Sequence, residues 1–243
     1  LTLSARSDMV RFDTTVDWHE ELKMLRADFV PTVFADNVKC NIQFGNFDRT
    51  TLEDDKDEDY NPKWAQFEVC AHKFVNIDGE DYGFALLNNG KYGHRAKNGF
   101  LSLALLRAPI FPDPTCDRGN HSFSYAIYPH KEKFEDTDLM AKGYCFNNPI
   151  EIVDNAISLD TIAKFDSKNI VIETIKVAED NNGIIVRAYE CFGQNAKSTL
   201  NLNFNATDIY ECDMLENKEK LARGKSFEFA PFEIKTLYLG FEK

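Results

Sequence analysis

The sequence is poor in tryptophan, short of positive charge and without a long apolar run. Only 2 of its 243 residues are Trp, against 20 Phe and 9 Tyr. Phe and Tyr favour half-buried strands, so the aromatic content points towards sheet. No apolar run approaches the ~20 residues a membrane-spanning helix needs, which excludes such a helix. Lys and Arg total 28 against 40 Asp and Glu, a net charge of −12. That balance argues against nucleic acid or an anionic membrane as the main partner. With 43% hydrophobic and 28% charged residues the chain reads as globular, neither disordered nor fibrous.

Several chemistries lack their motifs. The six cysteines, at 40, 70, 116, 145, 191 and 212, form no CxxC pair and no Cys-His cluster. Cys40, Cys70, Cys191 and Cys212 lie in strand-like stretches and read as reduced, partly buried thiols of a cytoplasmic protein. His19, His72, His94, His121 and His130 are isolated, without HExxH, HxH or HxD spacing, so no compact zinc motif is present. There is no GxSxG elbow and no Gly-rich phosphate loop. Glycosidase carboxylates carry no sequence signature, so the many Asp and Glu residues neither support nor oppose that chemistry. Asn120-His121-Ser122 and Asn205-Ala206-Thr207 match the glycosylation sequon, a pattern common by chance. Leu1-Thr2-Leu3-Ser4 is neither an initiator Met nor a signal peptide, and a strand follows at once. The expectation is a piece of a longer protein.

What is present is alternation. Val10 to Trp18, Met24 to Val30 and Val38 to Phe44 read as strands, the last with Val38, Cys40, Ile42 and Phe44 on one face. Residues 45–63 read as a polar excursion, and Trp64 to Phe74 as one long strand with Phe67, Val69 and Ala71 on one face. Asn89-Gly90 and Asn98-Gly99 suit type I′ turns and predict three consecutive antiparallel strands, Tyr82 to Asn88, Lys91 to Lys97 and Phe100 to Arg107. Phe123 to Tyr128 is a further strand ending before Pro129. Asp136 to Phe146 is the one helix expected, with Asp136 as its N-cap. Residues 150–168 read as a linker or domain edge. Six short strands follow, near 169–177, 183–190, 198–205, 208–213, 226–230 and 232–241, with a hairpin at Asn182-Gly183, a pattern that suggests a β-sandwich.

Two segments invite a site. In Glu53 to Asp59, the residues Asp55, Asp57 and Asp59 match the first ligands of a calcium loop. Tyr60 stands where that loop needs Gly, and Gln66 where it needs Glu, so the run reads as a solvated loop. Arg107 to His121 carries three prolines and a glycine, so it must be a shaped loop rather than a regular element. Such loops on a sheet are where sites sit. Within it, Asp117-Arg118-Gly119 places a carboxylate and a guanidinium beside a flexible residue. Asp accepts and Arg donates in a planar fork, which suits sugar hydroxyls. A local ion pair that pins the loop is the plainer reading, and composition alone favours it.

Longer motifs carry a resemblance. Tyr82-Gly83-Phe84-Ala85-Leu86-Leu87-Asn88 with Lys91-Tyr92-Gly93 is similar to a segment of glycoside hydrolase family 38 α-mannosidases. So are Leu105-Leu106-Arg107-Ala108-Pro109, Pro112-Asp113-Pro114, Asp117-Arg118-Gly119, His121 and Tyr125-Ala126-Ile127-Tyr128-Pro129-His130. Val16-Asp17-Trp18-His19-Glu20, Ile42-Gln43-Phe44-Gly45 and Ala65 to Lys73 match upstream, and Glu173-Thr174-Ile175-Lys176 and Pro231 to Leu237 downstream. The pattern resembles the cytosolic, vacuolar and bacterial branch. It departs in the acidic run and at Asn89-Gly90.

The resemblance implies an all-β chain, with a galactose-mutarotase-like super-sandwich portion over 1–149, a smaller β-sandwich over 150–243 and one short helix between them. It implies a parent that is a retaining exo-α-mannosidase. Its catalytic carboxylates and zinc would lie in an N-terminal catalytic domain outside this chain, so no catalytic residue, metal ligand or cofactor is expected here. Asp117, Arg118 and Gly119 become substrate-binding candidates. The implied partners are that catalytic domain and an α-mannoside oligosaccharide, in the cytoplasm, with no nucleic acid and no membrane. Two further readings stand beside this one. An independent carbohydrate-binding module could stack Trp18 and Trp64 on a sugar, though core packing is the plainer role for both. An apolar patch exposed on the β region would drive self-association.

Overall fold

The computed structural model describes residues 1–52, 67–150 and 161–241. The acidic run with its calcium reading, Trp64, and residues 151–160 of the expected linker lie outside the described residues. The chain divides into two compact units, Leu1–Ile42 with Phe47–Glu151, and Gln43–Asn46 with Ile152–Lys243.

The strands of the first part of the chain are β1 (Val10–Trp18), β2 (Met24–Phe29), β3 (Asn37–Ile42), β4 (Gly45–Thr50), β5 (Glu68–Cys70), β6 (Phe74–Asp78), β7 (Gly83–Asn88), β8 (Gly93–Lys97), β9 (Phe100–Arg107) and β10 (Gly119–His130). They form a six-stranded sheet in the order β1-β10-β7-β6-β3-β4 and a four-stranded sheet in the order β2-β9-β8-β5. Alternation decides which side chains meet. Val38, Cys40, Val75, Ile77 and Leu86 from one sheet and Val69, Ala96, Leu101 and Leu103 from the other form one buried cluster. Trp18 lies in the same cluster, 9% exposed.

Four sequence expectations change here. Asn98-Gly99 is the turn foreseen, with φ of +47° and +79°, and it joins the paired strands β8 and β9. Asn89-Gly90 is not a hairpin: β7 and β8 belong to different sheets. Asn89 instead bonds to β10, its N–H donating to the Ser124 carbonyl (3.3 Å) and its Oδ1 accepting from the Ser124 N–H (2.9 Å). An Asn-Gly pair specifies a local turn, not the sheet that the next strand joins. The long strand expected to end at Phe74 is divided between β5 and β6, which also lie in different sheets. The chain crosses where the His72 and Lys73 N–H groups donate to Asn41. Phe67, Val69 and Ala71 are all buried, Val69 and Ala71 in the same cluster as Trp18. Residues 45–50 are strand β4, and Phe44 leaves the β3 face by turning at φ +54°.

Strand β10 runs through Pro129, which pairs opposite Phe84. It is tolerated because β1 ends opposite Ile127, leaving one side of Pro129 outside any ladder. Helix α1 (Leu139–Asn147) starts later than expected, after a 3₁₀ turn over Phe134–Asp136. Asp136 is therefore not its N-cap. Asp138 holds that position without a capping bond, since its carboxylate takes the Tyr128 hydroxyl (3.1 Å) and the Lys142 ammonium.

The second unit holds β11 (Ala163–Phe165), β12 (Ile170–Val177), β13 (Gly183–Glu190), β14 (Ala196–Leu202), β15 (Ile209–Cys212), β16 (Lys218–Leu221), β17 (Ser226–Phe229) and β18 (Ile234–Gly240). Three form a sheet ordered β11-β14-β17 and five a sheet ordered β12-β13-β18-β15-β16. Phe165, Leu200, Phe227 and Phe229 from the first pack on Val186, Ala188, Leu237 and Leu239 from the second. Two strands, β11 and β16, were not expected. β11 falls inside the presumed linker, and β16 reads Lys-Glu-Lys-Leu, with no buried face to betray it. The β12–β13 hairpin is present, but its left-handed residue is Asn181, φ +57°. Gly183 is needed for a different reason: a Cβ there would sit 2.6 Å from the Tyr238 ring and 2.7 Å from the Leu239 carbonyl.

All six cysteines are free. Cys40 and Cys191 are buried, and burial pushes both thiols up to about 12. Cys70 is exposed, contrary to expectation, because it ends β5 on the side away from Val69.

Candidate functional site

The Asp117-Arg118-Gly119 segment is placed by two ladders that end at one edge of the first unit. β1 and β10 end their pairing at Trp18 opposite Gly119, and β2 and β9 at Met24 opposite Arg107. Residues 19–23 therefore cross from one sheet to the other, and residues 108–118 cross back beside them. Backbone bonds knit the crossings together: the Leu22 N–H donates to the Ala108 carbonyl (2.7 Å), and the Ala108 N–H to the Lys23 carbonyl (2.9 Å).

Local chemistry shapes the longer crossing. The Phe111–Pro112 peptide bond is cis. Asp113 Oδ1 accepts from both the Thr115 N–H and the Thr115 hydroxyl, each at 2.8 Å, and these bonds hold its carboxyl below the usual range. The Arg118 N–H donates to the Thr115 carbonyl (3.1 Å). Asp117 adopts φ +62° and Gly119 φ +112°. His121 Nε2 donates to the Asp117 carbonyl (2.9 Å), which fixes the turn.

Gly119 is the one residue here whose type the backbone dictates. A Cβ at that position would meet no atom within 4 Å, so any cost of substitution lies in the dihedral alone. Gly119→Ala is expected to lose about 1–3 kcal/mol in urea unfolding. A loss within error of zero would show that the loop relaxes freely.

The side chains are arranged differently from the expectation. Asp117 and Arg118 do not face each other. Arg118 forms an ion pair with Glu21 from the shorter crossing, while Asp117 Oδ1 takes a weak bond from the Cys116 thiol (3.6 Å). The Cys116 thiol is raised by partial burial and by the adjacent Asp117 carboxylate. Arg118 thus pins two loops together and still leaves its side chain 36% exposed. Asp117 also borders a shallow cleft of about 210 Å³ lined with Met24, Lys91 and Arg107. That cleft offers an acceptor and two cationic donors within one small concavity, the mixture that polyhydroxylated ligands require.

Glu21, Lys91 and Arg107 escape the sequence reading. Nothing in their spacing connects them to Asp117. Only the shared edge of the two ladders does so. Trp18 lies in the core and offers no stacking face. Among the described residues no group of three or more His, Cys, Asp or Glu could hold a metal ion, so these residues do not fit a zinc site. His19 pairs with Asp17 (2.7 Å), and His94 and His130 are buried, in separate places. No helix among the described residues is long and apolar enough to cross a membrane.

Comparisons with known proteins agree with this architecture. The family model described as "Glycosyl hydrolases family 38 C-terminal domain" matches residues 1–115, and that of the "family 38 C-terminal beta sandwich domain" matches 169–237. Alpha-mannosidase G of Dictyostelium discoideum is 38% identical over 96% of this chain, and human Alpha-mannosidase 2C1 is 34% identical over 95%. An alpha-mannosidase of Saccharomyces cerevisiae is 32% identical over 88%. The chain spans only 22%, 23% and 21% of these relatives. Among solved structures, an alpha-mannosidase from Enterococcus faecalis V583 superposes with a TM-score of 0.78 over 97% of this chain and 28% of its own, at 18% identity. That likeness shows the fold alone. Two models of C-terminal domains of the same family, together with this run of relatives, lead to one conclusion: the chain belongs to the C-terminal region of glycoside hydrolase family 38.

Proposed function

We propose that this chain is the C-terminal β portion of a retaining exo-α-mannosidase, and that the Asp117-Arg118-Gly119 loop faces the sugar pocket of that enzyme's catalytic domain. In this reading the first unit is the super-sandwich portion and the second the terminal β-sandwich. The carboxylates that cleave the glycosidic bond, and the zinc, belong to the catalytic domain. This chain's contribution is to hold polar groups at a fixed position beside that pocket.

The observation that carries the reading is the Arg118–Glu21 pair. It couples two loops that are themselves joined by backbone bonds, so the guanidinium is held in place before any ligand arrives. The exposed Leu22 and Phe111, 74% and 85% accessible, crown the same loops. They supply the apolar surface that a neighbouring domain would cover. The protein works in the cytoplasm on α-mannoside oligosaccharides.

Arg118→Ala in the enzyme with its catalytic domain is expected to lower kcat/KM for an aryl α-mannoside about 10- to 100-fold. That corresponds to the ~1.5–3 kcal/mol of a hydrogen bond to a charged group. Unchanged kinetics with unchanged thermal unfolding would remove Arg118 from the site.

A further inference from the structure

We propose that the open flank of the second unit's sandwich is a docking groove for an extended acidic peptide. A cleft of about 770 Å³ is bounded by the end of β16, the connection 222–225, the edge of β17 and parts of β14, β15 and β18. Its cations are Lys197, Lys220, Arg223, Lys225 and Lys235, and its carboxylates are Glu211 and Glu228. A net positive groove stands out on a chain whose total charge is −12.

Strand alternation creates the charged floor. Ile209, Leu237 and Leu239 point into the apolar core. Glu211 and Lys235 continue the same faces one step further along β15 and β18. The interior therefore passes from apolar to ionic as it opens. Glu211 is shared by Lys220 (3.0 Å) and Lys235 (3.2 Å), and Lys235 also meets Glu233 (2.9 Å). These contacts hold the Glu211 carboxyl below its usual range even though burial opposes that. Lys197 is balanced by Glu228 (3.2 Å). Arg223 and Lys225 are exposed, with no ion-pair partner among the described residues. They are the charge left over for a ligand.

The backbone supplies the second half of the argument. β17 is the last strand of its sheet and pairs only with β14. Its outer edge carries unpaired N–H and C=O groups along the wall of this groove, the template for an added strand. Lys220 and Lys235 meet at the Glu211 carboxylate, and Lys197 pairs separately with Glu228. Four of the five are lysines, which suit separate carboxylates better than a single phosphate held in a planar fork. An extended chain with regularly spaced Asp or Glu meets both demands at once.

The test is fluorescence anisotropy of a short labelled peptide of alternating Glu and Thr, titrated with the 243-residue chain at about 50 mM and about 500 mM salt. Saturable binding is expected. It should weaken about tenfold or more at the higher salt, and likewise when Arg223→Glu is combined with Lys225→Glu. Both positions are exposed, and far-UV circular dichroism confirms that the double variant is folded. Methylating alternate peptide nitrogens should weaken binding by a similar factor, because strand addition needs those N–H groups. Equal binding by the charge-reversed variant overturns the proposal, as does equal binding of the methylated peptide. Displacement by inorganic phosphate at matched charge, or tighter binding of a single-stranded oligonucleotide, overturns it in favour of another anion.

Discussion

Replacing Glu190 by alanine is expected to destabilise the second unit by about 3–5 kcal/mol in urea unfolding followed by far-UV circular dichroism. Glu190 ends β13 and is fully buried. Its carboxylate holds the turn that follows. Oε1 accepts from the Phe192 N–H (2.9 Å) and the Asn169 amide (3.2 Å). Oε2 accepts from the N–H groups of Gly193 (2.7 Å), Gln194 (3.1 Å) and Phe232 (3.1 Å). Each such bond to a charged group is worth about 1.5–3 kcal/mol. The sum is discounted because part of the turn can take up water once the carboxylate is gone.

The same carboxylate joins distant parts of the chain. It links the β13–β14 turn to Phe232, which precedes β18 and has φ +57°. The turn itself requires Gly193, whose φ is +74° and where a Cβ would meet the Phe232 ring at 2.8 Å. Glu190→Gln keeps the shape but turns an NH₂ group towards N–H donors, so it should lose most of the same stability. A glutamine variant within 1 kcal/mol of the wild type, the usual scale of one net hydrogen bond, would show that charge is not what holds the turn.

Acidification should cost the first unit about 3 kcal/mol through His94 alone. His94 sits in β8 with no exposed surface. Its Nδ1 donates to the Tyr92 carbonyl (3.1 Å), and its Nε2 has no hydrogen-bond partner. Burial pushes its pKa from 6.5 down to about 4. Above pH 6.5 the ring is neutral in both states, and the full stability is present. Between pH 6.5 and 4 the unfolded chain takes up a proton that the folded chain refuses. Stability therefore falls as pH falls across that window, at about 1.4 kcal/mol per unit of pKa difference.

Carboxylates with depressed pKa values, such as Asp13, Asp138 and Glu211, lose their contribution lower down, around and below their ordinary 3.8 to 4.5. That loss begins at about pH 5, so the interval from about pH 5.5 to 6.5 is where the histidine's slope is read. His94→Asn removes the titration and should flatten the dependence of unfolding free energy on pH there. Equal slopes for wild type and variant would assign the effect to another group.

Strand positions were legible because alternation is local. The face that Val38 and Cys40 share in β3 is set by a two-residue period and both are buried on it, while Ile42 further along is half-buried and the off-period Asn41 is buried too. What alternation does not encode is partnership. Asn89-Gly90 and Asn98-Gly99 look alike in sequence, yet one closes a hairpin and the other carries the chain between sheets. The difference lies in β10, which arrives beside β7 from far along the chain and takes the bonds a hairpin would have used. Likewise Asp136 has the composition of an N-cap, but Phe134 is buried against Phe74, with ring centroids 5.9 Å apart, and delays the helix.

The sequence by itself determined the all-β class, the family and a shaped loop between β9 and β10, since each rests on residue types in consecutive order, though it placed that loop at 107–121 where Arg107 and Gly119 to His121 are strand. Tertiary structure alone decided what that loop contains. Arg118 and Glu21 are 97 positions apart and meet only because two ladders end at the same edge. The groove beside β17 arises in the same way, from lysines on separate strands that no spacing rule connects. Charges combine according to distance in space, and the chain sets that distance only after both sheets have formed.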